Sequence, residues 1–153
     1  MHYKLLTAGL ALALGAVCAG SALAQVRPEV LVEQRISAMR LQGKYLFPLV
    51  PMAQGKVPYD AAIVTRNASY LDVLIRLAWD GFDPSTQGVK SRALPEIYTE
   101  PAKFKAAQET MFTEMNRFVA AAKSGNEANT KAAIGDALKA CNGCHDTFRQ
   151  KAQ

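Results

Sequence analysis

Apolar residues recur at helical spacing, in steps of three and four, in four segments of the chain. These segments cover roughly residues 29–54, 60–82, 100–123 and 126–151, and a loop rich in Pro, Gly, Ser and Thr occupies residues 83–94. The stripe of the first segment consists of Leu31, Arg35, Met39, Gln42, Leu46 and Leu49, and that of the second consists of Val64, Ala68, Leu71, Ile75, Ala78 and Phe82. The third stripe is Phe104, Met111, Met115, Phe118 and Ala122, and the last is Ile134, Leu138, Cys141, His145 and Phe148. We find no strand-like alternation and no internal repeat. Four amphipathic helices, mostly joined by short turns, predict an all-α fold, an antiparallel four-helix bundle.

Residues typical of helix ends lie at the predicted boundaries. Pro48 and Pro51 should bend or loosen the end of the first helix, because proline cannot donate a backbone hydrogen bond. Asp60 is a good residue to cap the second helix, and Pro101 is favoured in the first turn of the third. Ser124-Gly125-Asn126 should end the third helix and cap the fourth.

Residues 1–24 have the pattern of a secretory signal peptide. Lys4 supplies the positive start, an apolar stretch follows at Leu5–Val17, and Ala22-Leu23-Ala24 matches a small-x-small cleavage site. An uncleaved membrane anchor is disfavoured, because it needs about 20 apolar residues. The mature protein is therefore expected to comprise residues 25–153, to be exported, and to reside in the periplasm of a bacterium without membrane attachment.

The mature chain is sparse in ligating side chains. The leader holds one of the 18 basic residues, one of the three cysteines, one of the two histidines and no acidic residue, which leaves a net charge of about +4. A chain of this length fits one domain with a real core. Half of the full sequence is apolar and a fifth is charged, which excludes a disordered chain. The charge is mild and has no Lys/Arg run, so nucleic acid is not an expected partner.

Cys141-Asn142-Gly143-Cys144-His145 carries the chemistry of the chain, because C-x-x-C-H is the attachment signature of c-type haem. The two thiols add to the haem vinyl groups as thioethers, and the imidazole of His145 becomes an axial ligand of the iron. On a helix, Cys141, Cys144 and His145 point to one face, and Gly143 leaves room for a flat macrocycle. Export fits this interpretation, since haem attachment to such motifs takes place outside the cytoplasm.

Three other uses of the motif are weighed against haem. A structural zinc site usually needs four Cys or His ligands, and the mature chain has three. A redox C-x-x-C expects a βαβ setting that the pattern does not predict, and a plain Cys141–Cys144 disulfide would leave His145 unexplained. If the iron is bound, no second histidine remains for its other side, so the distal residue must be apolar or a methionine.

The mature chain resembles the class II cytochromes c, and most closely the cytochrome c′ family. The haem motif near the C-terminus is the first sign of this resemblance, and the order and spacing of the other matching segments make it specific. These segments are Arg35 to Met39, Gly55-Lys56-Val57-Pro58-Tyr59-Asp60-Ala61-Ala62, Trp79-Asp80-Gly81-Phe82, Pro95-Glu96-Ile97-Tyr98 and Cys141-Asn142-Gly143-Cys144-His145-Asp146-Thr147-Phe148-Arg149.

The resemblance implies a left-handed four-helix bundle with one covalently attached haem c, often a homodimer through its first two helices. It implies a five-coordinate iron held by His145, with Met39 at the distal position. It also places Arg149 beside the proximal histidine, Arg35 near a haem propionate and Trp79 near the haem edge. Such a protein transfers electrons to a redox partner that the sequence does not name, binds NO or CO on an apolar distal face, and is not an enzyme.

Two alternatives to this function stay open from the sequence. A low-spin branch of the class uses a methionine at the position of Met39 as sixth ligand, and the arginine four residues before a methionine is present here as Arg35. That protein would be a pure electron carrier. The other alternative is a haem-free thiol or metal module built from Cys141, Cys144 and His145.

Overall fold

The structure, a computed structural model, describes residues 26–151, so the predicted leader lies outside the described residues. It consists of four long and two short α-helices with two 3₁₀ turns, Asp80–Phe82 and Pro84–Thr86, between α3 and α4. The helices are α1 (Pro28–Leu46), α2 (Leu49–Ala53), α3 (Ala61–Leu77), α4 (Glu96–Thr99), α5 (Pro101–Ser124) and α6 (Glu127–Phe148). Between residues 26 and 151, no helix combines the length and the apolar character that a membrane span requires.

The predicted helix starts agree with the observed ones, but the second helix ends at Leu77 rather than near residue 82, because residues 80–82 form a 3₁₀ turn. The first helix breaks at Phe47 and Pro48, which separate α1 from the single turn of helix α2. The carboxylate of Asp60 accepts a hydrogen bond of 3.0 Å from the amide of Ile63, as an N-cap does. The side chain of Asn126 caps α6 in the same way, through the amide of Asn129 at 2.9 Å.

The four long helices pack around one apolar core. α5 packs most extensively against α6, and α3 lies between α1 and α5, while the short α2 also contacts α6. The most buried core residues, each at most 2% exposed, are Leu49, Val64, Ala68, Leu71, Ile75, Met115, Phe118, Ile134 and Ala137. We call this set the apolar core. It contains most of the stripe predicted for the second helix and the central part of the stripe predicted for the third, whereas Phe82 and Phe104 at the ends of these stripes are half-buried outside the core cluster.

The buried face of α1 differs from the predicted stripe. Val32 and Ala38 are buried, whereas Met39, which the stripe included, is half-buried and belongs to no part of the core cluster. Arg35, at the centre of the stripe, is only 3% exposed. α1 therefore packs with a polar, charged residue at the middle of its inner face, which apolar periodicity alone does not predict.

The segment 83–94 is more ordered than a simple loop. It holds the second 3₁₀ turn, and its end pairs with the C-terminus of α6. The amide of Leu94 donates to the carbonyl of Phe148 at 2.9 Å, and the amide of Gln150 donates to the carbonyl of Arg92 at 2.8 Å. An antiparallel bridge joins Ala93 and Arg149. The connection thus fixes the end of the helix that carries the haem motif.

Candidate haem site

Both cysteines and the histidine of the motif lie on the last two turns of α6. All three side chains are half-buried, and both cysteines are free thiols. An added Cβ at Gly143 would meet no atom within 4 Å, so there is open space at the position where the sequence predicts room for a macrocycle. A groove of about 520 Å³ between α5 and α6 reaches Cys144 and Gly143. α6 therefore presents the attachment residues on an accessible face.

The environment keeps both thiols protonated. Burial, and to a smaller extent the neighbouring Cys144, raises the pKa of Cys141 to about 11. Burial also raises the pKa of Cys144, although the positive charge of Arg149 opposes this effect. Reactive redox cysteines have lowered pKa values, since the thiolate is the nucleophile. The site therefore does not have the electrostatics of a thiol–disulfide redox centre.

The same environment keeps the imidazole neutral. Burial lowers the pKa of His145, and the charges of Arg149 and Arg92 lower it further, while Asp146 opposes them. A neutral imidazole has a free lone pair for a metal. No group of three or more His, Cys, Asp or Glu side chains between residues 26 and 151 comes together as a site for a bare metal ion. The neutral imidazole of His145 thus suits ligation of a haem iron.

Arg35 is a buried cation without an acidic partner among the described residues. Its Nη1 donates to the carbonyl of Gly81 at 2.5 Å, and its Nη2 donates to the hydroxyl of Ser91 at 3.1 Å. The guanidinium also lies 4.4 Å from the ring centroid of Phe82. A buried charge is costly unless it is paired, so this arrangement calls for an anion. The carboxylate of a haem propionate is such an anion, so Arg35 and its surroundings fit a haem.

Aromatic rings in edge-to-face contact connect Arg35 with the end of α6. The ring centroids of Phe82 and Phe104 lie 4.9 Å apart, and those of Phe104 and Phe148 lie 5.2 Å apart. Trp79 contacts the same rings, and its Nε1 donates to the carbonyl of Ile75 at 2.6 Å. We call Trp79, Phe82, Phe104, Phe112 and Phe148 the aromatic cluster. The aromatic cluster thus joins Arg35 on α1 to the end of α6 that carries the haem motif, and both lie at the same end of the bundle.

Arg149 and Met39 are the other residues that the sequence predicts for the site. Arg149 is exposed, its charge acts on Cys144 and His145, and its amide donates to the carbonyl of His145 at 3.1 Å. Met39 lies one helical turn after Arg35, on the same side of α1. Neither placement identifies an iron ligand.

The roles of two residues near the site, Thr86 and Tyr98, could not be predicted from the sequence. Thr86 is 2% exposed, and its hydroxyl lies 2.7 Å from that of Tyr98, so together they link the 3₁₀ turns to α4. Nothing in the sequence distinguishes Thr86 from other polar residues of the Pro/Gly-rich loop. Tyr98 belongs to a segment that matches the family, but the match indicates no role for it.

Comparison with known proteins identifies the family. The family model described as cytochrome c′ matches residues 30–149. The chain is 36% identical over 125 residues to a cytochrome c′ of Alcaligenes xylosoxydans xylosoxydans, which covers 82% of this chain and 97% of that protein. This chain belongs to the cytochrome c′ family. Members of this family are electron-transfer and gas-binding haem proteins, not enzymes, and their cofactor is covalently attached haem c with its iron.

Solved cytochrome c′ structures confirm the four-helix bundle. The structure from Rubrivivax gelatinosus superposes with a TM-score of 0.78 at 35% identity, covering 82% of this chain and 98% of that one. A leucine-to-isoleucine variant of the Alcaligenes xylosoxidans protein, solved as a nitric oxide complex, gives a TM-score of 0.76 at 36% identity. A leucine-to-glycine variant of that protein, solved with carbon monoxide bound, gives the same two values. Each of these two covers 82% of this chain and 98% of the other.

Proposed function

We propose that this protein is an exported monohaem cytochrome of the periplasm that transfers electrons and binds NO or CO at a high-spin iron. The observation that carries the proposal is the face of α6 that presents Cys141, Cys144 and His145 together, joined through the aromatic cluster to a buried arginine without an acidic partner among the described residues. The bound haem supplies one iron that exchanges an electron and takes a diatomic gas ligand.

The chain contributes attachment, ligation and charge compensation. Cys141 and Cys144 form the two thioethers, and His145 is the proximal ligand. Arg35 neutralises a propionate with the N–H groups that Gly81 and Ser91 leave free, since a guanidinium has five donors. Arg149 places a positive charge on the proximal side, which favours the reduced iron because reduction removes one positive charge.

Met39 covers the distal side without binding the iron in this proposal. A distal pocket without hydrogen-bond donors does little for a polarised Fe–O₂ unit, whereas NO and CO need less such help. The described residues contain one histidine, His145, so no second imidazole is available as a distal donor or acid–base group. Gas entry requires displacement of the Met39 side chain, which should slow binding.

A low-spin His145/Met39 carrier is the second candidate. The observation that favours it is the position of Met39, half-buried outside the core cluster and one turn from Arg35 on the same side of α1. A thioether that the core does not hold is free to ligate the iron. Such ligation raises the reduction potential and leaves no position for a gas.

The absorption spectrum of the ferrous protein separates the two candidates. We expect a high-spin spectrum that changes when CO is added and that stays high-spin in M39L. A sharp low-spin spectrum that CO leaves unchanged, and that becomes high-spin in M39L, would instead establish Met39 ligation. M115L is the matched control, because Met115 is 1% exposed in the apolar core and should not affect the iron in either case. A purified protein without acid-stable haem would contradict both candidates.

Export is part of the proposal and has its own measurement. The signal peptide at residues 1–24 should be removed after Ala24, and the mature protein should carry haem only when it reaches the periplasm. Intact mass spectrometry of the periplasmic fraction should give a chain that begins at Gln25 plus one haem. A cytoplasmic protein that retains Met1 would contradict this part.

A homodimer through α1 and α3 is also proposed. Five apolar side chains on or next to these helices are between 41% and 65% exposed: Leu41, Phe47, Tyr70, Val73 and Leu77. On α3 they follow helical spacing and so lie on one face. An exposed apolar face of this kind is typical of a protein interface. V73D should convert a dimer into a monomer in light scattering, whereas V57D, in the turn before α3, should not.

A further inference from the structure

A chain of hydrogen bonds connects α4 with Arg35 through the 3₁₀ turns. The hydroxyl of the buried Thr86 lies 2.6 Å from the carbonyl of Asp83, 3.4 Å from that of Gly81 and 2.7 Å from the hydroxyl of Tyr98. A threonine hydroxyl has one proton to donate. Since two carbonyls compete for that proton, Tyr98 is the donor and Thr86 the acceptor in the Tyr98–Thr86 bond. The proton of Thr86 goes to the nearer carbonyl, that of Asp83, which directly follows the 3₁₀ turn Asp80–Phe82. Tyr98 therefore holds the end of the turn that contains Gly81, through Thr86 and the backbone of Asp83.

Gly81 passes this constraint to α1. Its carbonyl accepts the hydrogen bond from Nη1 of Arg35. A Cβ at Gly81 would lie 2.5 Å from the Cβ of Arg35 and 2.6 Å from the carbonyl oxygen of Leu31, so the turn lies directly on the backbone of α1. At such close approach, a displacement of the turn also displaces the guanidinium.

The other contacts of Arg35 are weaker constraints. Ser91 accepts one hydrogen bond from it, and the ring of Phe82 stacks against it. The Gly81 carbonyl is the only backbone acceptor of the guanidinium among the described residues, and backbone held by a turn moves less than a serine side chain. The location of the charge thus depends mainly on the turn, and the turn depends on Thr86 and Tyr98.

We propose that Tyr98 and Thr86 are positioning residues, which fix the Arg35 guanidinium for the haem propionate through the carbonyl of Gly81. This inference rests on the proposed haem site. A purely structural role predicts something different, namely that Thr86 and Tyr98 stabilise the fold without affecting the iron. A fixed cation near the haem favours the reduced iron, so a displaced one should lower the reduction potential.

The test measures the midpoint potential of the purified holoprotein in a set of matched variants. At an effective dielectric constant of about 20, Coulomb's law gives about tenfold in an equilibrium constant for a unit charge roughly 10 Å from a redox centre. We therefore expect R35L to lower the equilibrium constant for reduction about tenfold. T86V and Y98F, which displace the charge rather than remove it, should each lower it about twofold. T86S retains the hydroxyl and should restore the wild-type value.

A double variant separates positioning from a structural role. If Thr86 acts through Arg35, T86V should not change the potential further once R35L is present. An equal additional shift in that background would overturn the proposal, as would unchanged potentials in T86V and Y98F. Y59F is the control, because the hydroxyl of Tyr59 makes no hydrogen bond within residues 26–151. Y98F removes one oxygen atom only and keeps the test available if T86V does not fold.

The resonance Raman band of propionate bending provides a second measurement on the same samples. It should shift in R35L, T86V and Y98F and remain unchanged in Y59F and T86S. These results do not depend on gas binding or on an electron-transfer partner. A protein that carries no covalent haem would refute the proposed function, whereas normal haem attachment with unshifted potentials and Raman bands would refute only this inference.

Discussion

The two halves of α6 have different surroundings. Ile134 and Ala137, in the first half, are at most 1% exposed and lie in the apolar core. Cys141, Cys144 and His145, in the second half, are only half-buried, and the charges of Arg149 and Arg92 act on His145. The first half is covered by apolar side chains of the protein itself. The other half has polar groups that a haem would satisfy, so a single helix serves stability at one end and chemistry at the other.

The largest expected difference between the halves concerns the cofactor. The double variant C141A/C144A should lose covalent haem completely, because no other cysteine is present after residue 24. Acid–acetone extraction followed by absorption measurement checks this result. N142A is the control in the same turn, since Asn142 is exposed, and it should retain haem. Haem that resists extraction from C141A/C144A would contradict the assignment of the attachment residues.

The next difference concerns stability. L71A removes a fully buried side chain from the apolar core and should lower the free energy of unfolding by about 2–5 kcal/mol, while the spectrum of the haem stays unchanged. V57A shortens an apolar side chain that is 42% exposed, and it should change stability by less than about 0.5 kcal/mol. Guanidinium unfolding of the holoprotein measures both. An altered haem spectrum in L71A would show that the two halves are not independent.

The smallest expected effect is the change in stability when either of two glycines is replaced by alanine. G81A should destabilise the protein by about 1–3 kcal/mol, because its Cβ would overlap atoms of Arg35 and Leu31 on α1. G135A lies within α6, where an added Cβ meets no atom within 4 Å, and it should stabilise by up to about 1 kcal/mol. Thermal unfolding of both variants is the measurement. Equal effects would mean that the close approach at Gly81 does not exist in solution.

The sequence predicted the stable half well, because helix caps and apolar periodicity depend on neighbours within one turn. Asp60 and Asn126 cap their helices as expected, and the stripes of α3 and α5 form the core. The haem motif was equally clear, since its three functional residues lie within five consecutive positions of the chain. These features are local, and a single sequence contains all the information they require.

The polar part of the site could not be predicted in the same way. The bonds from Arg35 to Gly81 and to Ser91 span 46 and 56 residues, and such pairings leave no periodic pattern. The roles of Arg35, Arg149 and Met39 came from the family resemblance, and they remain proposals for this chain. The burial of Arg35 and its hydrogen bonds to Gly81 and Ser91 are the main physical facts that the structure adds to them.

The pairing between residues 92–94 and 148–150 also determines how the haem end can open. The amides of Leu94 and Gln150 are bonded across this pairing, so they should exchange with deuterium more slowly than the unpaired amides of the surrounding loop. The chain end cannot fray past Gln150 without breaking these bonds. Both bonds must therefore break before α6 can unwind from this end as far as His145, so the pairing should keep the axial ligand in place.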